Sequence, residues 1–136
     1  MLADGPRRAT VGLWWAGSAL AGFTGVLSVA RSRPLFGVVY GVVATGLAAL
    51  GEATRRKRRI AELVSLVGLG GQGIGALGAA WELHRPDLSS PKARHLHDLG
   101  VNYRWALAAN LAYSLAAFAV FGWALYRRPG RQRNST

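Results

Sequence analysis

Four stretches of this chain, 9–30, 34–51, 63–81 and 105–126, contain no Asp, Glu, Lys or Arg, and they run for 22, 18, 19 and 22 residues. A helix rises about 1.5 Å per residue, so each run matches a hydrocarbon layer about 30 Å thick. A soluble amphipathic helix keeps a polar face and carries a charge every turn or so. These runs do not, although the mean hydropathy of the whole chain is only +0.17, because the charges gather between them.

The pattern predicts an all-α, single-domain integral membrane four-helix bundle. Its spans cover about 9–30, 35–53, 60–83 and 101–126, with short cytoplasmic links and one longer external polar loop. Residues 127–136 read as a basic, flexible tail.

The formal charge of +11 invites a nucleic-acid reading, which needs a basic face with groove-reading or stacking groups on a soluble body. Here Arg and Lys sit at the ends of apolar runs instead, where they set membrane topology and meet anionic headgroups. Nucleic acid is therefore not an expected partner. The chain has no cysteine, so disulfides and thiolate metal sites are excluded. Fifteen Arg against two Lys, with abundant Ala and Gly, points to a GC-rich bacterial genome.

Orientation follows from the basic residues. With four spans both termini share a side with the link over 54–59, and that side holds 11 Lys and Arg against 6 on the other. The positive-inside rule places both termini in the cytoplasm of a multi-pass plasma-membrane protein. Ser28, Val29 and Ala30 form a small-x-small site that a signal peptidase could use. The run before them is longer than a signal-peptide core, and Trp14 and Trp15 at its start suit an interfacial belt, so the reading is an uncleaved first span.

Glycine marks helix packing. Gly37 and Gly41 form a GxxxG pair in the second span, and Gly71 and Gly75 are in step with Ala79 in the third, where bare backbone lets another helix approach. The run from Gly68 to Gly78 contains a GxGxxG string, but no strand precedes it and no aqueous phosphate site accompanies it. Among the polar groups inside the spans, Gln72, Asn110 and Ser114 stand out. They read as interhelical hydrogen-bonding groups or, in an oligomer, as pore-lining ones. Arg55, Arg56, Lys57, Arg58 and Arg59 form the densest charge cluster, a contact for anionic lipid or a partner. Glu52 and Glu62 flank it at helical pairing distance.

The segment from Trp81 to Trp105 is the one long polar stretch and holds every histidine. Ser90 is placed to cap a short helix with Pro91 in its first turn, and Gly100 to end it. His84, Asp87, His95, His97 and Asp98 are the candidate catalytic residues, since imidazoles near carboxylates titrate in a useful range. On a helix His95 and His97 point to different sides. No metal or other cofactor is expected, because a metal needs three or four convergent ligands; a metal on the external histidines is the alternative. Three functions stay open: a non-catalytic accessory or scaffolding subunit, with a membrane-protein partner or homo-oligomer; a small enzyme or lipid- or quinone-binding protein using the external loop; and an oligomeric channel or transporter. The first is preferred, because no nucleophile motif accompanies the histidines and no span carries the charged groups that couple ions.

Overall fold

The structure, a computed structural model, describes residues 1–127, so the tail beyond Arg127 lies outside the described residues. Among the described residues the chain is all-helical, with α1 (Asp4–Ala30), α2 (Pro34–Arg55), α3 (Arg59–His84), α4 (Pro91–Asp98) and α5 (Tyr103–Tyr126). Helices α1, α2, α3 and α5 are each long and apolar enough to cross a membrane. That is the architecture of a membrane protein.

Two tight turns join the first three helices. Ser32 and Lys57 adopt left-handed φ values of 60° and 57°, which reverse the chain within three residues without a glycine. Pro34 then opens α2, where its fixed φ suits the first turn and its missing N–H costs nothing. Helix α1 packs along α2, and α3 along α5; α1 meets α5 and α2 meets α3 over shorter stretches.

Two bare backbones make the α1–α2 contact close. A Cβ on Gly25 would lie 3.4 Å from the Gly37 carbonyl oxygen, and one on Gly37 would lie 3.2 Å from that of Gly25. Gly41, the other half of the GxxxG pair, faces open space.

Trp14 is the centre of the bundle. It is 4% exposed and packs with Leu69 and Ala117, flanked by Leu13, Leu47, Leu50, Val120 and Phe121. The residue fits because two neighbours lack side chains: a Cβ on Gly51 of α2 would sit 3.3 Å from the Trp14 Cβ, and one on Gly68 of α3 would sit 3.1 Å from its ring. This corrects the interfacial-belt reading of Trp14. Helix α1 starts at Asp4, not at residue 9, which puts Trp14 about 15 Å into the helix, while Trp15 is 48% exposed.

Side-chain hydrogen bonds tie the helices together where water is scarce. The Trp14 indole N–H donates to Ser65 Oγ at 2.9 Å, and Ser65 Oγ meets Thr54 Oγ1 of α2 at 2.9 Å. Ser18 donates to the Ala44 carbonyl at 2.7 Å, and Tyr113 reaches over the bare Gly17 to donate to the Leu13 carbonyl at 2.7 Å. Ser114 donates to Gln72 Oε1 at 2.9 Å, joining α5 to α3.

The early start of α1 also brings Arg7 inside. Its Nε donates to Glu62 Oε1 at 3.0 Å, Nη1 to Asp4 at 2.6 Å and Nη2 to the Leu2 carbonyl at 2.5 Å, while the Leu2 N–H donates to Glu62 Oε2 at 3.2 Å. The side chains of Arg7 and Glu62 are 9% and 3% exposed. Glu62 therefore does not offset the charge cluster beside it, as its spacing suggests; only Glu52 does, through Arg55 and Arg56.

Replacing Trp14 by Ala removes the ring from its neighbouring helices and takes the indole N–H from Ser65, which keeps only Thr54. We expect Trp14→Ala to lose about 3–5 kcal/mol of stability and Trp15→Ala, at a half-exposed residue, only about 1 kcal/mol. Denaturant unfolding of the detergent-solubilised protein, followed by near-UV circular dichroism, measures both.

Candidate functional site at the α4 end

The connector between α3 and α5 is held by local polar contacts. The Asp87 carboxylate accepts from the backbone N–H of Ser89 at 3.0 Å and from its hydroxyl at 2.6 Å, which holds Asp87 below the usual carboxylate range. Ser90 Oγ accepts from the Ala93 N–H at 3.2 Å and Pro91 opens α4. Gly100, at φ 75°, ends the segment, and Asn102 Oδ1 caps α5 by accepting from the N–H groups of Arg104 and Trp105.

Two polar contacts seat α4 against its surroundings. Asp98 pairs with Arg33 in the α1–α2 turn. Glu82 accepts from the Tyr103 hydroxyl at 2.8 Å and from Lys92 Nζ at 3.2 Å, joining α3, α5 and α4. Beneath them Ala93, Tyr103 and Leu107 form a small apolar cluster with Leu83 and Leu96. The inner side of α4 also turns His95 onto α2, where its ring lies 4.4 Å from that of Phe36 and 6.5 Å from that of Tyr40. Both ring nitrogens of His95 are buried and have no hydrogen-bond partner among the described residues.

The candidate residues from the sequence are thereby separated. His97 and Asp98 line an open cleft of about 610 Å³ together with Arg94, Asn102 and Arg104. His95 faces α2, His84 is exposed at the end of α3, and Asp87 is committed to its own turn. Asp98 reaches Arg33, and Arg85 lies over the Trp81 ring at 5.7 Å. Among the described residues no three His, Asp or Glu side chains are grouped to hold a metal ion.

The remaining sequence candidates fall elsewhere. Gln72 and Ser114 bond to each other, and Gly75 lies beside them, its Cβ position 3.4 Å from Ser114 Oγ. Gly71 has open space and Asn110 lines a crevice between α1 and α5. At the opposite end Arg55 and Lys57 line a cleft of about 520 Å³ with Arg7, Arg8 and Asp4. Arg58 precedes α3 without a side-chain capping bond and Arg59 begins it, while Arg56 pairs with Glu52. The Arg7–Glu62 pair and Trp14 have no local sequence signal as partners, because 55 and 51 residues separate them from what they bond. Comparison of the chain with protein-family models, curated proteins and solved structures finds no match.

The unpartnered ring of His95 makes a direct test. Phe keeps the stacking and removes two buried nitrogens without acceptors or donors, whereas Lys forces a charge against Phe36 and Tyr40. Leu99, 3% exposed, can be changed to Cys as a unique thiol in a chain that has none. We expect His95→Phe to leave maleimide labelling of Leu99→Cys slow and His95→Lys to speed it at least about tenfold, equal to about 1.4 kcal/mol of lost docking.

Proposed function

We propose that this chain is a non-catalytic accessory subunit of a membrane complex, a four-span bundle in the plasma membrane with both termini in the cytoplasm. The polar groups of its spans support that reading by their use: Ser18, Ser65, Gln72, Tyr113 and Ser114 all engage neighbouring helices. Such bonds are worth about 1 kcal/mol or less apiece in a bilayer, and here they serve position.

The observation that carries the reading is the outward face of α3. Gly71 and Gly78 lie two helical turns apart, with nothing within 4 Å of where a Cβ would stand, between the exposed side chains of Val67, Ile74 and Trp81. A bare strip flanked by bulky residues is the shape a second transmembrane helix packs into. The basic turn over 55–59 would sit at the cytoplasmic headgroups, where anionic lipid attracts it.

Because neither glycine touches the bundle, Leu at both sites separates partner packing from folding. We expect the protein extracted in mild detergent from its native host to migrate as an assembly larger than its own 14.5 kDa plus micelle. Gly71→Leu/Gly78→Leu should reduce it to the single chain with unchanged thermal unfolding. A wild-type protein that is a single chain under those conditions would refute the subunit reading. Orientation has its own check: a thiol at Ser89→Cys should react with a membrane-impermeant maleimide in intact cells, and one at Lys57→Cys only after permeabilisation.

A further inference from the structure

The bond from Tyr113 to the Leu13 carbonyl marks where α1 and α5 touch. On the α4 side of it a crevice of about 510 Å³ lies between the two helices, lined by Leu20, Phe23, Leu27, Leu99, Ala106 and Asn110 among others. On α1 it reaches from Gly17 to Leu27, about 15 Å along the axis, with walls that are almost wholly apolar. Phe23 is 64% exposed at its rim, so the crevice opens sideways, towards what would be lipid.

Its polar groups are not equivalent. The Thr24 hydroxyl donates to the Leu20 carbonyl at 2.9 Å and that of Tyr113 to Leu13 at 2.7 Å, so both are committed. The Asn110 carboxamide has no hydrogen-bond partner among the described residues, although it lies about 10 Å along α5 from its first residue. An amide at that depth in hydrocarbon calls for a partner, because no water is there to supply one. At the mouth, Arg31 Nη2 lies 3.3 Å from the Cβ position of Gly100, between Leu99 and Val101, both of which line the crevice. Arg33 is neutralised by Asp98, whereas Arg31 makes no ion pair among the described residues. From the mouth inward the crevice offers a free cation, walls that are apolar apart from the Tyr40 phenol, and a free amide.

We propose that this crevice binds one glycerophospholipid from the leaflet facing α4. Its phosphate pairs with Arg31, an ester carbonyl accepts from the Asn110 amide, and one acyl chain lies between α1 and α5. A guanidinium binds phosphate oxygens through charge-assisted hydrogen bonds, and the ester is the acceptor such a lipid carries just below its phosphate. The site requires the four spans to lie in a bilayer but not a protein partner, so it stands or falls apart from the subunit reading.

The test is native mass spectrometry of the delipidated, detergent-solubilised protein titrated with dioleoylphosphatidylglycerol or with dioleoylglycerol, which lacks the phosphate. We expect one molecule of the phospholipid to bind at least tenfold more tightly than the diacylglycerol. Arg31→Ala should erase that preference, while Arg85→Ala, at the same end of the bundle, should keep it. Asn110→Leu should weaken both lipids several-fold without lowering thermal stability in lipid-free detergent, an outcome that a purely structural Asn110 would not give. Ala106→Trp should abolish binding by filling the crevice. Equal binding of the two lipids, binding unchanged in Arg31→Ala and Asn110→Leu, or retention in a folded Ala106→Trp protein would each overturn the proposal.

Discussion

One indole ring sets the geometry of the bundle. In a bilayer helices gain nothing by hiding apolar surface from each other, since lipid tails are just as apolar, and close packing must come from shape and from polar links. Trp14 supplies both. Its Cβ lies against the bare backbone of Gly51, its ring fills the space left by Gly68 and its N–H finds Ser65, so one residue of α1 sets its distance from α2 and α3 together. Gly68 is explained by the Trp14 ring it receives, and Gly51 by the Trp14 Cβ and the Trp15 indole that lie against it.

The charged end of the bundle follows the same logic. Arg7 and Glu62 would be costly in an apolar environment if either stood alone. Each is saturated: Arg7 donates to two carboxylates and a carbonyl, and Glu62 receives the Arg7 guanidinium and the Leu2 N–H. That closure admits a charged residue into α1 and lets the helix begin at Asp4. It also shifts Trp14 from the rim to the interior, so an ion pair and an aromatic core are parts of one arrangement.

How much of this the sequence disclosed depended on range. The four long helices, the Ser90 cap with Pro91 and the closing Gly100 were legible because each is written in consecutive residues or in a helical repeat. The divergence of His95 and His97 was legible too, being a matter of 100° per residue. The partners of Glu62 and Trp14 were not, because nearby Arg residues offered Glu62 a local partner and two adjacent tryptophans near a span's start look like a belt. The α1–α5 crevice left no trace in either helix alone; it exists only where both are set side by side. Asn110 was visible as polar and in the membrane, but that it lacks a partner emerges only from its surroundings.

The turns at Ser32 and Lys57 carry a consequence for biosynthesis. Because the turn at Ser32 is only three residues long, α1 and α2 can close on each other, backbone to backbone at Gly25 and Gly37, while α3 is still in the ribosome. Ser65 and Gly68 arrive later, and α5 later still. In a nascent chain that has closed this hairpin, Gly51 already lies against the Trp14 Cβ, and what the indole needs, Ser65, Gly68 and Ala117, is supplied by the segments translated afterwards.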